Sequence, residues 1–115
     1  MKIFKFGGAS VKDAEGVKNV LSVLQKVGHE DVLLVISAMG KTTNALEVVI
    51  KHYFEKSPEL KASIQEVRKY HNQILLELFD EDKHPVFRAV NVHFEELDYF
   101  LSHNKSPNYN FVYDQ

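Results

Sequence analysis

The stretch that most constrains the fold is the opening one. Lys2-Ile3-Phe4-Lys5-Phe6 alternates at the period of a β-strand and then breaks into Gly7-Gly8-Ala9-Ser10-Val11. Two adjacent glycines allow positive φ and remove the side chains that keep a ligand away, so their N–H groups can turn together toward an anion. Ser10 with Asp13 has the spacing of a helix N-terminal box, which predicts the positive end of a helix dipole at the same place. Lys5, at the C-terminal end of the strand, adds a cation within reach of the glycines. The same residues also fit an ordinary strand-to-helix turn with a surface lysine, and local pattern leaves both readings open.

The 115 residues make one domain or part of one, a size that buries roughly two thirds of the surface an unfolded chain exposes. A formal charge of −2 with acids and bases interspersed gives no basic field for nucleic acid and no polybasic membrane patch. A small anion therefore has to be held locally. The absence of cysteine rules out a disulfide framework and is compatible with a reducing compartment. The chain opens directly on a strand, without a signal-peptide pattern, and its longest apolar run, Val32 to Ile36, is too short to span a bilayer. The expectation is a soluble, cytoplasmic protein.

Val11, Ala14, Val17, Val20, Leu21 and Leu24 recur at helical spacing and stop at Gly28, which predicts a first helix over about 13–27. Val32-Leu33-Leu34-Val35-Ile36 is a continuous, largely β-branched run, the pattern of a strand covered on both faces. Strand, helix and strand make a βαβ unit with parallel strands. A ligand then belongs at the carboxyl ends of the strands, where the loops Gly7 to Ser10 and Ser37 to Asn44 begin. The remainder reads as helical. Ala45, Leu46, Val49, Ile50, Tyr53 and Phe54 mark a second helix ending near Lys56, and Ser57-Pro58 reads as a cap with proline at the first helical position. Leu60, Ile64, Val67, His71, Ile74, Leu75 and Leu78 mark a third, broken by Asp80-Glu81-Asp82-Lys83-His84-Pro85. Val86, Phe87, Val90, Phe94, Leu97 and Leu101 mark a fourth, antiparallel to the third across a short connection. Asn104 to Asn110 is polar and turn-like, and Phe111-Val112-Tyr113 opens a further apolar segment. No repeat, low-complexity tract or linker marks an internal boundary.

The second loop, Ser37-Ala38-Met39-Gly40-Lys41-Thr42-Thr43-Asn44, contains Gly-Lys-Thr, but the P-loop also needs a glycine five residues before Gly40, where Val35 stands. The dinucleotide fingerprint fails as well, because Gly7-Gly8-Ala9-Ser10 lacks its glycine spacing. What remains is a loop of small and hydroxyl residues fit for a small polar substrate, or a turn capping the next helix through Thr42 or Thr43; the two roles can coexist. His71 falls on an apolar helix face, and His84, His93 and His103 have no metal-type spacing, so no metal site is expected. Glu95, Glu96, Asp98 and the Asp80 to Asp82 cluster read as solvated helix ends. Phe79, Phe87, Phe94, Tyr99 and Phe100 read as packing, because no basic residues interleave with them.

Lys5-Phe6-Gly7-Gly8-Ala9-Ser10-Val11, followed some 25 residues later by Val35-Ile36-Ser37-Ala38-Met39-Gly40-Lys41-Thr42-Thr43-Asn44, closely resembles the start of the aspartate kinases, in the amino-acid kinase family. Both motifs stand in the right order, after the right strands and at the right spacing. The family usually has threonine where Ala9 stands, a change that removes a hydroxyl but no backbone N–H. The resemblance implies an α/β chain: the N-terminal βαβ part of an amino-acid-kinase-like parallel sheet, followed by a mostly helical segment. It implies ATP with Mg²⁺ and transfer of the γ-phosphoryl group to the side-chain carboxylate of L-aspartate. The product would be 4-phospho-L-aspartate, at the first step of lysine, threonine and methionine biosynthesis, in a homo-oligomeric parent enzyme. Carried over residue by residue, Lys5, Phe6, Gly7, Gly8 and Ser10 match the ATP phosphate-binding segment, with Lys5 catalytic, and Ser37 and Thr43 match substrate-contacting positions.

The resemblance covers essentially the whole chain but well under half of a typical aspartate kinase. The family's glycine-glutamate motif, its later catalytic aspartate and its regulatory domains have no counterpart here, so residues 1–115 read as the N-terminal part of such a domain, without activity of its own. The rival expectation is a non-catalytic anion-binding or helical interaction module derived from the same fold.

Overall fold

The computed structural model describes residues 1–79 and 84–115. The chain divides into two compact units, Met1–Asn44 and Ala45–Gln115. No linker marks the division, because it falls inside a helix.

In the first unit, β1 (Lys2–Phe6) and β2 (Val32–Ile36) pair in parallel, from Lys2 opposite Val32 to Phe6 opposite Ile36. Between them lie a short 3₁₀ turn (Gly8–Val11) and α1 (Ala14–Val27). Asp13 caps α1, its Oδ1 accepting the Gly16 N–H at 2.8 Å. Gly28, at φ +84°, ends the helix in a conformation that disfavours a side chain. The box expected from Ser10 does not form. Ser10 belongs to the separate 3₁₀ turn and its N–H bonds the Gly7 carbonyl, so α1 begins beyond the glycines and brings its dipole to Asp13 instead.

The register fixes which residues share a sheet face, since paired residues of parallel strands point the same way. Ile3, Lys5, Leu33 and Val35 form one face, and Phe4, Phe6, Val32, Leu34 and Ile36 the other. Phe4, Phe6 and Val32 are half-buried. The expectation that β2 is covered on both faces is overturned: Leu33 to Ile36 are all exposed, Ile36 at 55%. A doubly buried parallel strand needs neighbours on both edges and a layer on both faces, whereas among the described residues β2 has only β1 beside it. The composition of β2 records a demand for cover that the two-stranded sheet leaves unmet.

The second unit takes its core from the helical faces predicted. It comprises α2 (Thr42–Phe54) from Ala45 onward, α3 (Leu60–Leu78), α4 (Pro85–His103) and α5 (Tyr109–Tyr113). Val49, Ile64, Val67 and Phe94 form the buried cluster, with Leu46, Leu60, Val90 and Leu97 packed against it. Phe79 meets Phe87, Asn72 meets Asn91 and His71 meets Phe94, so rising numbers on α3 pair with falling ones and the two helices are antiparallel as expected. A polar cluster crosses their interface. Asn91 accepts from Arg68 Nε at 2.8 Å and from Asn72 at 3.1 Å, and donates back to Asn72 at 3.0 Å. Such reciprocal amide pairing penalises any other register, because a slip strands polar groups in a partly buried site.

Helix boundaries differ from the sequence pattern at several ends. The second helix stops at Phe54, short of Lys56, and α3 starts at Leu60 although Ser57 Oγ does accept the Glu59 N–H at 3.1 Å. Pro58 therefore sits in the turn ahead of the helix. His84 caps α4 through Nδ1, with Pro85 in the first turn, while Asp80, Glu81, Asp82 and Lys83, expected to break the third helix, lie outside the described residues. The polar stretch after Asn104 turns through Asn104 and Ser106 and then forms α5, capped by Asn108. Tyr53 OH accepts from the Asn104 amide at 2.9 Å and Phe54 stacks on Tyr109 at 5.5 Å, which fastens this segment to the end of α2.

Candidate functional site

The two loops singled out in the sequence meet at the carboxyl end of the parallel pair. The ladder continues past the strands when the Ser37 N–H donates to the Phe6 carbonyl at 3.0 Å, and the Gly40 N–H donates to the Gly8 carbonyl at 3.0 Å. The backbone of Phe6 to Gly8 is thus bonded directly to that of Ser37 to Gly40.

The glycines divide the work. Gly7 is extended, at φ −77° and ψ 174°, and a Cβ placed on it meets nothing within 4 Å. Neither conformation nor packing within the chain requires glycine there. Gly8 is the opposite case: an added Cβ lies 2.6 Å from the Gly40 carbonyl oxygen and 3.0 Å from that of Ala38. Gly40 itself turns through φ +55°, the left-handed region that favours glycine.

Among the described residues, the N–H groups of Gly7, Gly8 and Ala9 meet no acceptor, while the next one, Ser10, is bonded to the Gly7 carbonyl at 3.0 Å. Gly7 and Gly8 are half-buried and Ala9 is exposed. Successive backbone N–H groups in a turn can converge on an anion, and the turn here begins at Gly8, directly after the extended Gly7. Lys5 is exposed on β1, two residues before Gly7, and forms no ion pair among the described residues. Phe6 is half-buried and anchors the junction through its carbonyl.

In the second loop Ser37 and Thr43 are exposed, with side-chain hydroxyls that bond no described residue. Thr42 is buried, and both its N–H, at 3.0 Å, and its hydroxyl, at 2.6 Å, donate to the Met39 carbonyl. This corrects the capping expectation. Thr42 is the first residue of α2 and Thr43 the second, and the Thr42 hydroxyl tightens the Met39–Thr42 turn instead of capping a helical N–H. The structure brings Phe6, Gly7, Gly8 and Ser37 together; Ser10 lies in the 3₁₀ segment, and among the described residues no backbone hydrogen bond links Thr43 to the first loop.

No protein-family model matches the chain. Aspartokinase 2, chloroplastic, of Arabidopsis thaliana is 48% identical over 44 residues, 38% of this chain and 8% of that protein. A bifunctional aspartokinase/homoserine dehydrogenase, chloroplastic, of Daucus carota is 30% identical over 80 residues, 70% of this chain and 9% of that protein. The aspartokinase of Chlamydia trachomatis serovar D is 28% identical over 106 residues, 90% of this chain and 23% of that protein. The chain resembles part of an aspartokinase. It spans less than a quarter of the length of each of these relatives.

Aspartokinases are kinases by name, and two features of such a site are open to test on these residues. Backbone N–H groups that bond no described residue are present at Gly7 to Ala9. A magnesium ligand set is not: among the described residues no group of three or more His, Asp or Glu side chains is placed to hold a metal ion. Sequence reasoning missed the contact between Gly8 and Gly40, and the signal for it was the second glycine of the first motif together with the one glycine of the second. No helix among the described residues is long and apolar enough to cross a membrane.

Proposed function

We propose that the chain is the N-terminal part of an amino-acid-kinase domain of an aspartokinase, whose reaction moves the γ-phosphoryl group of ATP to the side-chain carboxylate of L-aspartate and yields 4-phospho-L-aspartate. The observation that carries this reading is that the N–H groups of Gly7, Gly8 and Ala9 bond no described residue and that Lys5, on the adjoining strand, forms no ion pair among the described residues, all at the carboxyl end of a parallel pair. The relatives, aspartokinases by name, support this reading. In the proposed site Lys5 and the glycine amides hold the phosphates, Phe6 and Ser10 shape the loop, and Ser37 and Thr43 offer hydroxyls to aspartate. Phosphoryl transfer asks mainly for positioning and charge stabilisation, which such groups supply. Magnesium, when bound, neutralises phosphate charge; among the described residues no group of three or more metal-ligating side chains is placed to hold it. A homo-oligomeric parent enzyme and a cytoplasmic location belong to the same proposal; the plant relatives are chloroplastic by name.

Calorimetric titration of the chain with ATP, ADP and aspartate tests the reading. Weak binding of ATP and ADP, lost in Lys5→Ala, is expected. Heat-silent titrations with every ligand at millimolar concentration would favour the non-catalytic helical module.

The acceptor assignment makes a separate prediction. A hydroxyl that bonds a bound carboxylate contributes about 1 to 3 kcal/mol. In an active aspartokinase carrying this segment, Thr43→Val raises KM for aspartate by about tenfold or more and leaves KM for ATP nearly unchanged. Equal changes in both constants would make Thr43 a structural residue of α2.

A further inference from the structure

Gly8 and Gly40 do more than leave room for a ligand. We infer that they form a backbone latch which sets the acceptor loop against the phosphate loop, and that Gly8 is a positioning residue for Ser37 to Thr43. The inference rests on the proposed function for the identity of the two loops, but the latch itself is a contact within the chain. Three observations carry it. The Gly8 carbonyl accepts the Gly40 N–H at 3.0 Å. The space a Cβ would need at Gly8 is filled by two carbonyl oxygens of the second loop, at 2.6 and 3.0 Å, and both belong to backbone that cannot swing aside like a side chain. Gly40 reaches this position only through φ +55°, and the buried Thr42 pins the turn from the other end through Met39.

Gly7 provides the internal control. It precedes Gly8 directly, yet nothing within 4 Å opposes a side chain there. If both glycines served only the phosphate, alanine at either position would act alike. If Gly8 is the latch, alanine at Gly8 pushes the second loop away, whereas alanine at Gly7 obstructs only what approaches from outside.

Amide hydrogen exchange and chemical shifts of the 115-residue chain, followed by heteronuclear NMR, decide between these. In the wild type the Gly40 amide is protected. Gly8→Ala speeds its exchange by about tenfold or more, as loss of one partly buried hydrogen bond requires, and shifts the resonances of Ser37 to Thr43, while the core around Ile64 and Val67 keeps its protection. Gly7→Ala leaves Gly40 protection and the second-loop resonances in place. Pyrophosphate, added as the probe, moves the Gly7 to Ala9 amides and the Gly40 amide together in the wild type, but only the former in Gly8→Ala. A merely structural contact would not separate those two responses. Should Gly8→Ala fail to fold, Gly40 variants take its place: Gly40→Asn, which tolerates left-handed backbone, keeps the protected amide and Gly40→Val loses it. An unprotected Gly40 amide in the wild type, unchanged protection in Gly8→Ala, or equal loss in Gly7→Ala overturns the latch. Pyrophosphate that moves no resonance of the wild type overturns the phosphate site instead, whatever the exchange rates show.

Discussion

Lys5→Ala lowers kcat by about 10²- to 10³-fold in an active aspartokinase that carries this segment, the range that follows removal of one preorganised transition-state donor. The side chain lies at the carboxyl end of β1, exposed and without an ion pair among the described residues, so its charge is not already spent within the chain. As the γ-phosphoryl group departs, negative charge moves toward the oxygen it leaves. A cation bridging those oxygens therefore stabilises the transition state more than it stabilises bound ATP, and its loss appears in kcat rather than in KM alone. Lys5→Arg separates charge from shape: a planar guanidinium keeps the charge but not the compact donor set, so partial recovery is expected. Steady-state kinetics of both variants, with circular dichroism to confirm that each folds, measures the effect. A kcat for Lys5→Ala within a few-fold of the wild type would remove Lys5 from the reaction.

The parts of the fold legible in the sequence are those where periodicity and burial agree. Val49, Ile64, Val67 and Phe94 recur at helical spacing and are the residues that form the buried cluster of the second unit. The strands were legible because a β-branched run bounded by Asp31 and Ser37 has few alternatives, and both begin and end as expected. The error at β2 has the same origin as the success: pattern reports what a strand is suited to, not what surrounds it. The capping error at Ser10 was a choice between two good caps three residues apart. Asp13 accepts the Gly16 N–H, and the turn packs closely on the helix start there, since a Cβ on Gly16 would lie 2.5 Å from the Ser10 carbonyl oxygen.

The candidate site was legible as a list of residues but not as an arrangement. Glycine at positions 7 and 8 looks like one feature in the sequence, a flexible anion loop. In space the two differ, one with free room for a side chain among the described residues, the other wedged against the second loop. The hydroxyls of Thr42 and Thr43 are adjacent in sequence but face different tasks, since the first is buried against Met39 and the second is exposed. No periodicity argument reaches such distinctions, because they depend on contacts between loops about 30 residues apart.

These 115 residues by themselves are expected to show no aspartate kinase activity, although they hold the recognisable motifs. Phosphoryl transfer needs a metal held between phosphates, an acceptor aligned with the departing group, and charge stabilised at both ends at once. Under the proposed reading the described residues offer backbone N–H groups to phosphate and hydroxyls to the acceptor, but no cluster of three or more metal-ligating side chains. Asp13 is already engaged as the cap of α1, and Asp31 lies at the far end of β2, near the N-terminal amine of Met1 at 3.3 Å. The sheet is the second shortfall. Two strands with Ile3, Leu33 and Val35 exposed on the same face as Lys5 leave the lysine in water, where an ion interaction has a small fraction of its strength in a dry site. Incubating the chain with ATP, Mg²⁺ and aspartate, and trapping acyl phosphate as the hydroxamate, measures this directly. The expected result equals the control without protein. A hydroxamate signal that rises with chain concentration and disappears in Lys5→Ala would mean that the two loops suffice for catalysis and that the metal needs no more carboxylates than these residues provide.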